Sequence, residues 1–83
     1  MQIDNEIKKL VNSLSRNIDF KSDLFAQLDS MQFLNLIIKL EEKFLIKINE
    51  KEINSHNFKN IKNIVQLIND KKKRDELSKQ GIN

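Results

Sequence analysis

Leu28-Asp29-Ser30-Met31 places a hydroxyl beside a carboxylate just ahead of an apolar run from Phe33 to Phe44. If that run is a helix, Ser30 stands at its N-terminus, where backbone N–H groups lack intrahelical partners and the macrodipole is positive. A hydroxyl held there, at the end of a loop, is well placed for attaching a group to the protein. It is poorly equipped for catalysis, because a nucleophilic serine needs an adjacent base that is itself held by a third group. The one histidine, His56, falls in Asn54-Ser55-His56-Asn57, which is turn chemistry. With no cysteine there is no thiolate nucleophile, disulfide or thiolate metal site, and one histidine cannot build a metal cluster. Glu41, Glu42, Glu50 and Glu52 read as solvated carboxylates. Neither a catalytic residue nor a metal site is expected.

The elements that must position Ser30 follow from apolar spacing. Ile3, Ile7, Leu10, Val11, Leu14 and Ile18 recur every three or four residues and predict a first helix that fades near Asn17-Ile18-Asp19. Phe20 to Gln27 reads as a loop whose Phe20, Leu24, Phe25 and Leu28 fold back over the core. A second helix starts at Asp29 or Ser30, with Asp29 as N-cap and Gln32 in the capping-box position. Phe33, Leu34, Ile37, Leu40 and Phe44 form its buried stripe. Gln32, Asn35, Lys39, Glu42 and Lys43 face water, and Met31 and Ile38 lie at the edge of the apolar face.

Leu45-Ile46-Lys47-Ile48 alternates apolar and polar, which fits a short strand or an extended connector. The connector is preferred because a lone strand has no partner here. Glu50 to Asn54 predicts a short helix. The last helix carries Ile61, Ile64, Val65, Leu67 and Ile68, with Asn57 or Asn60 as its cap, and its pattern stops after Asn69. The expected fold is all-α: a small four-helix bundle of three longer helices and a short one, with a long loop between the first and second. Its expected core includes Ile7, Leu14, Leu34, Ile37, Phe44, Phe58, Ile64 and Ile68.

Eighty-three residues allow one domain, which buries roughly 60% of its unfolded surface. Residues 1–70 hold ten basic and ten acidic side chains, while residues 71–83 hold five basic and two acidic, so the net charge of +3 resides in the last segment. The expected organisation is a neutral helical domain over 1–70 and a basic, flexible tail over 71–83 beginning Lys71-Lys72-Lys73-Arg74. The N-terminus lacks the apolar core of a signal peptide, and no stretch approaches the roughly 20 apolar residues of a membrane span. A cytoplasmic monomer is expected.

Leu28-Asp29-Ser30-Met31 followed at fixed spacing by Leu40-Glu41-Glu42-Lys43-Phe44-Leu45-Ile46-Lys47-Ile48 resembles the phosphopantetheine-carrier family, which includes acyl, peptidyl and D-alanyl carrier proteins. The likeness extends through Glu52-Ile53, Phe58, Ile61, Ile64 and Val65 and covers roughly residues 3–70. It implies a free-standing carrier with 4′-phosphopantetheine covalently attached at Ser30. A phosphopantetheinyl transferase would install the arm from coenzyme A, and Asp29 would orient the site or hold a metal ion in that complex. The arm would hold an acyl or aminoacyl group as a thioester, loaded by an activating ligase and passed to later enzymes of a biosynthetic pathway.

Two features depart from the family pattern. Ala26-Gln27-Leu28, without glycine, precede the Asp-Ser pair, in a loop shorter than in D-alanyl carriers. The second helix sets Lys39 and Lys43 against Glu41 and Glu42, where fatty-acid carriers are strongly acidic. The docking face is therefore expected to be apolar, with Met31, Gln32, Asn35 and Ile38 as contacts. Met31 and Ile38 as ordinary core is the competing reading. The alternative function is a small helical interaction or nucleic-acid-binding module without a prosthetic group. Against nucleic acid, Phe33–Phe44 holds no arginine and is charge-balanced.

Overall fold

The computed structural model describes the backbone of residues 2–15 and 17–81, with side chains from 3 to 15 and 17 to 73. Among the described residues the chain is all-helical, a small bundle of α1 (Gln2–Leu14), α2 (Leu24–Gln27), α3 (Ser30–Phe44) and α4 (Ile61–Gly81), with a 3-10 turn at Glu50–Glu52. Helix α1 packs against both α3 and α4.

Helix α1 ends at Leu14, earlier than the apolar spacing suggests. The Ser13 hydroxyl donates to the Leu10 carbonyl at 2.6 Å, and the Ser15 N–H makes a last helical bond to the Val11 carbonyl at 3.0 Å. Ile18 still packs on the core, from the loop.

The loop is more ordered than its sequence suggests and contains the unforeseen α2. Asp23 caps this single turn, accepting from the Ala26 N–H. The Leu24 N–H donates to the Lys59 carbonyl at 2.7 Å, and the Leu24 side chain is fully buried. Asp19 closes a tight turn by accepting from the Lys21 N–H and the Ser22 hydroxyl, both at 2.9 Å. The Gln27 amide then clasps the Asp19 backbone, accepting from its N–H and donating to its carbonyl, each at 2.9 Å.

On α3 the buried residues are Leu36, Ile37, Leu40 and Phe44. Leu34, expected in the core, is 53% exposed, and Leu36 takes its place. The reason is rotational: residues 33, 36, 37, 40 and 44 span one arc of the helix, and position 34 lies about a quarter-turn outside its centre.

The segment after α3 forms no helix before Glu50, and there is no strand among the described residues. Glu41 holds its start. The Glu41 carbonyl accepts from the N–H groups of Leu45 and Ile46, and its carboxylate accepts from the Ile48 N–H at 2.9 Å. Asn60, and not Asn57, caps α4, its side chain accepting from the Asn63 N–H at 2.8 Å.

The last helix runs further than its apolar pattern. The apolar pattern stops at Ile68, but α4 continues to Gly81. Residues 70–80 are rich in good helix formers and contain neither glycine nor proline, so the helix can propagate without an apolar face. Lys71 belongs to the body of the fold, pairing with Glu52 at 2.9 Å with both side chains largely covered. Residues 82–83, and the side chains of the basic segment beyond Lys73, lie outside the described residues.

Candidate functional site

The start of α3 is built from three consecutive roles. Asp29 is the N-cap: its backbone is extended, its carboxylate accepts from the Gln32 N–H at 2.8 Å, and its carbonyl accepts from the Phe33 N–H at 2.9 Å. Gln32 answers by accepting from the Asp29 N–H at 3.0 Å, which completes a capping box. Ser30 is the first helical residue. Because its neighbours make the cap, its hydroxyl stands outside the capping network, and its side chain is exposed. The Ser30 and Met31 N–H groups precede any helical i−4 carbonyl and point out of the helix start. An exposed hydroxyl therefore sits among free amide donors at the positive end of a 15-residue helix, which is favourable ground for a phosphodiester.

The loop side of Ser30 is walled by aromatic residues. Phe25 on α2 meets Phe33 edge to face at 5.0 Å, and Phe33 meets Phe58 in the same manner at 5.0 Å. Phe58 is fully buried, whereas Phe25 is 37% exposed, so not every phenylalanine is core as the sequence suggests. A cavity of about 190 Å³ opens here, lined by Phe25, Leu28, Asp29, Ser30 and Phe33.

The outward face of α3 carries a second apolar stripe. Met31, Leu34 and Ile38 follow the three-and-four spacing on the side away from the core, and Leu45 extends the row just past the helix end. Met31 is 68% exposed and Leu45 is 82% exposed. Of the four expected docking contacts, Met31, Asn35 and Ile38 are exposed on this side. Gln32 is not: it is half-buried, with one amide atom in the capping box and the other donating to the Leu14 carbonyl at 3.1 Å. Its role is to tie α3 to the end of α1.

Leu34, on the expected buried stripe, and Leu45, in the expected connector, are both surface residues. Leu45 could have been found, since it follows Phe44 at the helix end, where glycine is the usual residue. It adopts left-handed backbone angles, φ 55° and ψ 51°, as the C-cap. That conformation costs a non-glycine residue roughly 1–2 kcal/mol. The backbone angles serve the helix end, where the Glu41 carbonyl accepts from the Leu45 and Ile46 N–H groups, and the apolar side chain is left exposed there.

His56 is exposed in the turn, as expected, and only its carbonyl has a structural task, accepting from Asn63 Nδ2 at 2.8 Å. Among the described residues no helix is long and apolar enough to cross a membrane. No protein-family model, curated protein or solved structure matches this chain.

Proposed function

We propose that this chain is a cytoplasmic carrier protein that bears 4′-phosphopantetheine on Ser30 and shuttles an acyl or aminoacyl group between partner enzymes. The observation that carries this reading is the exposed Ser30 hydroxyl at the first position of α3, left outside a cap that Asp29 and Gln32 complete.

In the loading step the Ser30 oxygen bonds to the phosphorus that bears the pantetheine arm in coenzyme A. The diphosphate bond breaks, adenosine 3′,5′-bisphosphate departs, and the hydroxyl proton passes to a base on the transferase. The new phosphodiester lies beside the free N–H groups of Ser30 and Met31, where the helix dipole offsets its charge. Once attached, the arm supplies a terminal thiol that holds cargo as a thioester. Tethering gives that cargo a high effective concentration at each partner's active site.

Partners dock on the outward stripe of Met31, Leu34, Ile38 and Leu45, with Asn35 alongside. The partner set comprises a transferase, an activating ligase and the enzymes downstream. The stripe is apolar and α3 carries balanced charge, so recognition rests on burial of apolar surface instead of charge steering.

The test is intact-mass spectrometry after incubation with coenzyme A and a broad-specificity phosphopantetheinyl transferase. One added arm on the parent chain and none on Ser30→Ala supports the proposal. A folded parent that gains nothing favours a helical interaction module without a prosthetic group, for which the same outward stripe would be the contact surface.

A further inference from the structure

The cavity beside Ser30 has a size, a lining and a position that together select an occupant. It measures about 190 Å³, and three of its five lining residues, Phe25, Leu28 and Phe33, are apolar. A cavity of about 150 Å³ lined by apolar side chains accepts a molecule as large as benzene, whereas pockets for whole ligands run to roughly 300–1,000 Å³. The space therefore suits a compact, branched hydrocarbon group.

Its floor is fixed. Phe33 stacks edge to face on the fully buried Phe58, which fills the interior beneath. Its outer wall is fixed as well, because α2 is held by the Asp23 cap, the Leu24-to-Lys59 backbone bond and the Gln27 clasp on Asp19. Ser30 itself lines the cavity, so a group tethered to its oxygen starts beside it.

Resting on the carrier reading above, we infer that this cavity seats the geminal-dimethyl segment of the phosphopantetheine arm. That quaternary carbon is separated from the phosphate by only an ester oxygen and one methylene, and it is the first bulky apolar group along the arm. Seating it covers the exposed part of Phe25 and keeps the phosphodiester at the Ser30 and Met31 N–H groups. The Asp29 carboxylate, also on the rim, is occupied by the Gln32 N–H and disfavours entry of the phosphate itself. The arm then leaves Ser30 over α2, on the loop side, and the outward stripe of α3 stays clear for partners.

The experiment loads the full chain from coenzyme A with carbon-13 in the geminal methyl groups, confirms one added arm by mass, and records isotope-filtered NOE spectra. The expected result is NOEs from the labelled methyls to the Phe25 and Phe33 rings and the Leu28 methyls, with amide shifts at residues 24–28. In Phe25→Ala, checked for folding by circular dichroism and still loaded, the methyl shifts move at least halfway to those of free pantetheine. A loaded parent whose methyls match free pantetheine, or show NOEs to Met31, Leu34 or Ile38 instead, overturns the seat and leaves the carrier reading standing. A folded chain that takes no arm overturns both.

Discussion

The Gln32 side chain donates to the Leu14 carbonyl at 3.1 Å, joining the end of α1 to the start of α3 across eighteen positions of sequence. The same amide accepts from the Asp29 N–H, so one residue holds both the helix that presents Ser30 and the helix against which it packs. A capping-box rule treats glutamine and glutamate alike at this position. Here the donor nitrogen is also required. Gln32→Ala is expected to lower unfolding free energy by about 1–3 kcal/mol in urea titration, through two lost hydrogen bonds and a part-buried carbonyl left unpaired. Gln32→Glu should restore only the Asp29 bond and remain about 1 kcal/mol below the parent, because a carboxylate cannot donate to Leu14.

Leu34 and Leu36 differ by two positions and should differ sharply in consequence. Leu36→Ala empties a fully buried site and is expected to cost about 2–5 kcal/mol. Leu34→Ala removes a half-exposed side chain and should stay within about 0.5 kcal/mol of the parent. Chemical denaturation of the two variants checks the assignment of faces. Under the proposed function, the Leu34 variant should nevertheless slow transfer from a partner enzyme.

Leu45→Gly should stabilise the fold by up to about 1 kcal/mol, since glycine adopts φ 55° without the steric penalty that leucine carries there. Little burial is lost with the side chain, because it projects into solvent. Thermal denaturation measures the gain. A simultaneous loss of partner affinity would identify the leucine as one retained for docking.

Two carboxylates make stability depend on acid. The Lys43 ammonium, bonded to Glu6, holds that carboxyl below its ordinary 4.5. The Lys21 N–H, followed by the Ser22 hydroxyl, holds Asp19 below 3.8. A carboxylate whose folded value is depressed contributes stability that is fully present above its unfolded value and is lost as pH falls through the folded one. Stability should therefore be flat from neutral pH down to about 5 with respect to these groups and fall below it. Glu6→Gln and Asp19→Asn should each shallow that fall, as read from urea midpoints across pH 2.5–6. Both groups lie near the surface, so the effects should be small, and that of Glu6 should shrink further in high salt.

Much of the candidate site could be read from the sequence because its determinants are local. The Asp29 cap, the Gln32 reply and the apolar run behind them lie within one turn of each other, and the structure has the capping box at these residues. The phase of α3 was harder. Its apolar residues at 31, 33, 34, 36, 37, 38 and 40 cover more of the helix than one face, so contact with α1 decided which of them are buried. Helix α2 depends on a backbone bond from Leu24 to Lys59, thirty-five positions away, which no local pattern reveals. The continuation of α4 past Ile68 was missed for a different reason: hydrophobic periodicity ends there, but helix propensity does not. Lys71, assigned by charge counting to a tail, closes an ion pair with Glu52 inside the fold.

Fragmentation of the intact chain after incubation with coenzyme A and a phosphopantetheinyl transferase tests the central claim most directly. The account predicts a single added arm, carried by fragments that contain Ser30 and absent from those limited to Ser13, Ser15, Ser22, Ser55 or Ser78. An arm located on another serine, or a folded chain that stays unmodified while a control carrier in the same tube is fully loaded, would contradict it.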